Sequence, residues 1–151
     1  MADIVPPEVR SRMMAGIRGK DTKPELIIRR GLHALGFRYR LHARDVPGKP
    51  DLVFPRFQAV IMVNGCFWHR HDCHLFRMPS TRPEFWSAKI GRNVERDSLV
   101  QRQLAEAGWR KLVVWECALK GRTALGPETV VTKIAQWLPG TEAACEIRGT
   151  I

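Results

Sequence analysis

Asp51-Leu52-Val53-Phe54-Pro55-Arg56-Phe57-Gln58-Ala59-Val60-Ile61-Met62-Val63 holds two apolar runs with a proline turn between them. Leu52 to Phe54 and Gln58 to Val63 are short and rich in residues that favour strands. Pro55-Arg56 joins them, so the pair reads as a β-hairpin with Asp51 at its mouth. Upstream, Pro47-Gly48-Lys49-Pro50 closes a loop over residues 42–50, and Phe37-Arg38-Tyr39-Arg40-Leu41 alternates as a strand does. Before it, Thr22 is placed to cap a helix, with Pro24 in the first turn and Glu25 at capping-box spacing. Leu26, Ile27, Leu32 and Leu35 supply the apolar face, and Gly36 ends it. Residues 8–19 fit a short basic amphipathic helix carrying Met13, Met14 and Ile17. Downstream, residues 64–80 form a loop rich in cysteine and histidine. Residues 84–107 read as one long helix, residues 109–117 as a buried strand and residues 127–138 as a last helix. The order predicts an α/β fold, a central mixed β-sheet flanked by helices. One domain is expected over residues 1–138, with residues 139–151 a flexible tail.

Charge narrows the partner. The chain of 151 residues has 25 Lys and Arg against 15 Asp and Glu, a net charge of +10. That excess points to a polyanion, nucleic acid by default, because phosphate contacts supply most non-specific binding. A basic protein without chemistry of its own has the same composition. No apolar run reaches the roughly 20 residues a membrane helix requires. The N-terminus has neither the basic nor the apolar region of a secretory signal. A cytoplasmic location is expected, acting at the nucleoid, where four cysteines suggest metal or structural roles rather than disulfides.

Cys66, His71 and Cys73 lie within eight residues, and Cys117 ends a predicted core strand. Thiolate and imidazole are the donors zinc prefers, and four protein donors make a closed, structural site. His69 and His74 are rival ligands, with Asp72 a weaker one. Donors two residues apart point the same way from an extended loop, which covers His69 as well as His71. Cys117 also reads as an ordinary buried thiol, and Cys145 falls in the expected tail.

For hydrolytic chemistry the residues of interest are Asp51, Glu25 and His69. A carboxylate at the mouth of a hairpin suits a hard divalent cation, and a neutral imidazole can accept a proton from water. The acid-x-lysine that follows such an aspartate in PD-(D/E)xK nucleases is missing, since the next strand runs Val60-Ile61-Met62-Val63-Asn64. Taken singly, Asp51 also fits a turn and Glu25 a capping box. Phe67-Trp68 is an aromatic pair; at strand spacing one ring faces inward and the other is exposed. An exposed aromatic on a basic surface can wedge between base pairs, and mismatched steps resist least. Met14 could enter from the opposite groove or pack its own helix.

Three stretches together resemble a known family. They are Asn64-Gly65-Cys66-Phe67-Trp68-His69 with His71 and Cys73, then Phe85-Trp86 with Lys89, Ile90, Asn93, Arg96 and Asp97, and Val114-Trp115-Glu116-Cys117. The likeness, to the very short patch repair (Vsr) DNA mismatch endonucleases, runs from about Arg10 to Trp137. It implies a restriction-endonuclease-like fold and a magnesium-dependent nick on the 5′ side of a thymine mispaired with guanine. It implies magnesium at Asp51 and the Val63 carbonyl, His69 as general base, and Glu25 ordering the cation's water. It implies structural zinc on Cys66, His71, Cys73 and Cys117. Met14, Phe67 and Trp68 would intercalate, with Lys89 and Asn93 at the mispaired bases. Better-known members carry threonine and histidine where this chain has Val63 and Asn64, so the imidazole at position 64 is missing here. The partner is double-stranded DNA with a T·G mismatch, a mismatch-repair protein is a further candidate partner, and a single nick fits a monomer. Two other readings stay open: a restriction-type enzyme cutting intact duplex, and a zinc protein that binds mismatches without cutting.

Overall fold

A computed structural model describes residues 22–150. The expected basic helix over residues 8–19, with Met14, lies outside the described residues. Helix α1 (Lys23–Ala34) starts as the sequence predicts: the Thr22 Oγ1 accepts the Glu25 N–H at 3.4 Å. It ends as predicted too. Gly36 takes φ +97°, its N–H reaches the His33 carbonyl, and the Phe37 N–H returns to the Leu32 carbonyl. That pair of bonds is the glycine-terminated helix stop that only a residue tolerant of left-handed backbone makes without strain.

Strands β1 (Arg40–Leu41), β2 (Leu52–Phe54), β3 (Ala59–Asn64), β4 (Arg110–Trp115) and β5 (Ala144–Ile147) form one sheet in that spatial order. The first three pair antiparallel, while β3–β4 and β4–β5 pair parallel. The hairpin of β2 and β3 turns through a short 3-10 segment, Pro55–Phe57, with Gln58 left-handed at φ +51°. Helix α2 (Pro83–Glu106) provides the crossover from β3 to β4, and α3 (Pro127–Trp137) the crossover from β4 to β5.

Alternation along the strands builds two layers. Leu52, Phe54, Ile61, Leu112 and Val114 face α1 and α3, where Ile28, Leu32, Val130 and Ile134 complete the main core. Val53 and Val60 face the other way, onto Ala43, Val46 and Leu104 of α2. Each large aliphatic side chain buried this way stabilises the fold by about 1.5–3 kcal/mol. The mixed sheet between helices is the expected architecture.

Two expectations change. The strand predicted over residues 37–41 pairs only at Arg40 and Leu41. Pro50 and Pro55 bracket β2, so its partner has three residues to pair with, and His42 turns left-handed immediately afterwards at φ +47°. Phe37 and Tyr39 still bury their rings, edge-on and tilted against Phe54. The tail beyond Pro139 is not frayed: β5 extends the sheet, with Ile147 buried and Cys145 packed against the main core. Two inward positions, Cys145 and Ile147, in a four-residue strand are too short a period to read from sequence.

Helices α1 and α3 touch at Gly31. A Cβ there would sit 2.6 Å from the Val131 Cγ2, a β-branched side chain that has little room to turn. Replacing Gly31 by alanine gains about 1 kcal/mol of helix propensity but loses about 1–3 kcal/mol to overpacking. Gly31→Ala is therefore expected to lower stability in urea unfolding. In a Val131→Ala background the same change is expected to raise it.

Candidate active site and metal centre

Parallel pairing sets Asn64 at the end of β3 beside Trp115 at the end of β4. Two residues further along each chain stand Cys66 and Cys117, the latter in the 3-10 turn Glu116–Ala118. His71 and Cys73 join them from the following loop, and the four ligand atoms lie within 4.8 Å of one another. The cluster is fastened by backbone donors. The Cys117 N–H points to the Cys66 sulfur and the Gly149 N–H to the Cys117 sulfur, each at 3.3 Å. The His71 ring stacks on Trp115, centroids 4.0 Å apart and planes 9° from parallel.

Burial pushes the Cys66 and Cys117 thiols up and the His71 imidazole down. The imidazole is thereby held in its neutral, ligating form. Two sulfurs driven toward protonation need a compensating cation to become thiolates, which is what a zinc ion supplies. Three sulfurs and one nitrogen, closed on all sides, fit a structural zinc and leave no place for chemistry. The rival ligands are engaged elsewhere. His69 Nδ1 is 2.6 Å from the Asp97 carboxylate, His74 Nδ1 is 3.5 Å from the Thr123 hydroxyl, and Asp72 accepts from Arg148 at 2.6 Å.

Beside this cluster opens a cleft of about 1170 Å³. Asp51, Val63, His69, Asp97, Phe67 and Trp68 all line it. Lys23, Lys49, Lys89, Arg96 and Lys120 line it as well, beside the carboxylates Asp51, Asp97 and Glu116, so cations outnumber acids along the cleft. The Asp51 Oδ2 accepts the Val63 N–H at 2.7 Å, which fixes the carboxylate across the hairpin. Burial pushes the Asp51 carboxyl up to about 6, against the pull of that N–H and with the charge of Glu25 adding to the rise. Oxygen donors whose negative charges crowd one another in a buried place suit a hard divalent cation.

Glu25 lies behind Asp51, only 1% exposed. Its carboxylate takes an Arg29 N–H at 2.9 Å and sits 2.9 Å from the His42 Nε2. The capping spacing of Glu25 is thus real in the backbone, while its side chain serves the interior. Glu25, His42 and Asp51 bring three ligand atoms within 4.8 Å of one another. Sequence reasoning passed over His42, which sits in an irregular loop where spacing carries no signal. It also gave Asp97 no role, although Lys89, Asn93 and Asp97 recur every four residues and share one helical face.

The aromatic pair departs from expectation. Residues 66–70 turn rather than extend, so strand parity does not apply to them. Phe67 and Trp68 are both half-buried and both reach the cleft, packed edge-on 5.1 Å apart and against Trp86. The Asn93 amide donates to the Trp68 carbonyl at 3.0 Å, and the Lys89 ammonium lies 5.7 Å from the Trp68 ring.

A carboxylate held at a hairpin mouth, an imidazole oriented by a second carboxylate and a cationic rim are what a phosphodiester-cleaving nuclease of the α/β class requires. Comparison with known proteins agrees. The family model for "DNA mismatch endonuclease Vsr" matches residues 2–75. The DNA mismatch endonuclease Vsr of Escherichia coli (strain K12) is 43% identical over 147 residues, covering 97% of this chain and 94% of the relative. The Type II nicking enzyme V.XorIIP of Xanthomonas oryzae pv. oryzae is 46% identical over 125 residues, 83% of this chain and 92% of its own. V.NmeAIP of Neisseria meningitidis, also a Type II nicking enzyme, is 40% identical over 122 residues, 81% and 87% of the two chains. The chain belongs to the Vsr DNA mismatch endonuclease family, and it is a DNA endonuclease.

Two outcomes follow from this geometry. Cys117→Ala is expected to cut the zinc content well below one ion per chain and to cost more than about 3 kcal/mol of stability. His69→Ala should leave zinc in place by atomic absorption; loss of zinc there would reverse the assignment of the two histidines. The second concerns pH. Because Asp51 titrates higher when folded than its ordinary 3.8, its contribution to stability is complete below pH 4. That contribution is lost as pH rises through about 6. In divalent-free buffer at pH 8, Asp51→Asn is expected to raise stability by up to ~2 kcal/mol, the gap closing at pH 4. Equal stability at pH 8 would contradict the burial argument.

Proposed function

We propose that this endonuclease nicks one strand of duplex DNA on the 5′ side of a thymine mispaired with guanine, using magnesium at Asp51 and a structural zinc on Cys66, His71, Cys73 and Cys117. The observation that carries the reading is the division of the two neighbouring histidines: His71 faces the sulfurs, while His69 faces Asp97 in the cleft that holds Asp51. Mismatch recognition rests on the family and on the paired aromatics beside that cleft.

When bound, the divalent cation would polarise the scissile phosphate and acidify water. Asp51 would hold it with the carbonyl of Val63, and Glu25 adds the second negative charge that draws it in. The other steps belong to the chain. Asp97 accepts the Nδ1 hydrogen of His69, which fixes the ring and leaves Nε2 as the free base. His69 takes the proton of the attacking water as its oxygen bonds to phosphorus. The P–O3′ bond breaks, and the 3′ oxygen recovers a proton from solvent. Lys49, Lys89, Arg96 and Lys120 counter the phosphate charge along the cleft. Phe67 and Trp68 press against the base step, where a mismatch is the easiest to unstack, and Lys89 and Asn93 meet the mispaired bases. Met14 is assigned the opposite groove by family likeness alone.

No helix among the described residues is long and apolar enough to cross a membrane. A cytoplasmic location, action as a monomer and a mismatch-repair partner complete the reading. Asn64 removes one imidazole from the cleft, so His69 is the base on which the rate depends.

The test is a nicking assay with magnesium on otherwise identical T·G and matched duplexes. Cutting of the thymine strand only, in the mismatched duplex only, is expected. Asp51→Ala should abolish it while DNA binding persists, and His69→Ala should slow it by about 10²–10⁴. Asp97→Asn should lower kcat by at least about tenfold with little change in KM. Equal cutting of both duplexes, or full activity in Asp51→Ala, would sink the reading.

A further inference from the structure

His42 has no part in the mechanism above, yet it touches both acidic residues of the site. It follows β1 directly and adopts φ +47°, a left-handed backbone that residues other than glycine rarely take. From that turn the backbone N–H donates to the Asp51 carbonyl at 3.1 Å, and the ring swings inward to place Nε2 2.9 Å from the Glu25 carboxylate. One side-chain donor atom each from His42, Glu25 and Asp51 thus fall within 4.8 Å of one another, a spread that one cation can bridge. Arg29 already meets the Glu25 carboxylate at 2.9 Å, so the imidazole is not the sole partner of that group. Packing alone does not account for the ring, since 21% of its side chain is exposed.

We propose that His42 is a further protein donor, joining Asp51 and Glu25, to the catalytic cation. The inference rests on the reading that the cleft takes a divalent ion at Asp51, and it adds a nitrogen donor to that ion. A site of oxygens alone suits magnesium, whereas an imidazole among them raises the affinity for first-row transition ions. The site that holds magnesium therefore gains affinity for manganese(II) relative to magnesium through His42. The histidine absent at position 64 is not replaced as a base; the nitrogen enters the site from the opposite side of the hairpin, on the loop that follows β1.

Manganese(II) is the probe, because its unpaired electrons report on attached nitrogen. Zinc-loaded protein titrated with manganese(II) is expected to show nitrogen hyperfine coupling by pulsed electron paramagnetic resonance. The variant of choice is His42→Gly, since glycine keeps the left-handed backbone without strain and leaves the fold intact, as its melting temperature should confirm. In His42→Gly the coupling should vanish, and manganese affinity should fall by about tenfold or more. Magnesium affinity, read by competition, should fall less. A bound manganese ion that depends on Asp51 but shows no nitrogen coupling, or the same coupling in His42→Gly, overturns the proposal while the hydrolytic reading stands. Manganese binding unaffected by Asp51→Ala would instead overturn the cation site itself, and the role of His42 with it.

Discussion

The parallel pairing of β3 with β4 is the constraint from which both centres hang. It brings Asn64 and Trp115 side by side, so that the chain segments leaving the two strands emerge together at one end of the sheet. Cys66 and Cys117 lie on those segments. Pairing in the other direction would have put them at opposite ends. The pairing needs a crossover of about a dozen residues or more, which α2 supplies, and α2 in turn carries Lys89, Asn93 and Asp97 to the cleft. One topological choice thus sets the sulfur cluster, the wall of the cleft and the partner of His69.

Two chemistries sit within a few residues of each other without mixing. His69 and His71 flank Arg70, whose φ of +51° reverses the chain. In an extended loop the two rings would point the same way. Here the reversal sends His71 into the buried cluster, stacked on Trp115, and His69 out to Asp97. The separation follows from donor type as well as direction: the three sulfurs converge on one side, the carboxylate oxygens on the other. The last strand reinforces the boundary. Trp115 donates its indole N–H to Glu146 at 2.7 Å, Arg148 grips Asp72, and the Gly149 N–H reaches Cys117. The segment expected to fray is therefore the back wall of the sulfur cluster.

Much of this was legible in the chain. The capped helix α1, the hairpin, the long α2 and the core strand β4 announce themselves through caps, prolines and apolar period, because each signal is local. The donor cluster was legible only as a choice among histidines, since the feature that parts His69 from His71 is the backbone at Arg70, which no side-chain pattern encodes. Strand β5 escaped because four residues with two inward positions offer too little periodicity. His42 and Asp97 escaped for a different reason. Each gains its meaning from a partner 17 or 28 residues away, a distance that only the folded topology closes.

A cleft built to receive phosphates has to tolerate its own carboxylates. Each of those described is tied to a donor: Asp97 to His69, Glu116 to the Cys66 N–H at 3.3 Å with Lys120 at 3.7 Å, and Glu25 to Arg29 and His42. Asp51 takes the Val63 backbone N–H and shares a side-chain hydrogen bond with Glu25, and burial drives its carboxyl well above the ordinary range. On the proposed reading, a divalent cation would offset the energetic cost of ionising it in that place. With that charge offset, the cleft around Asp51 would attract a phosphate rather than repel it. The same burial that makes Asp51 a poor isolated anion would then make cation and substrate favour each other's binding.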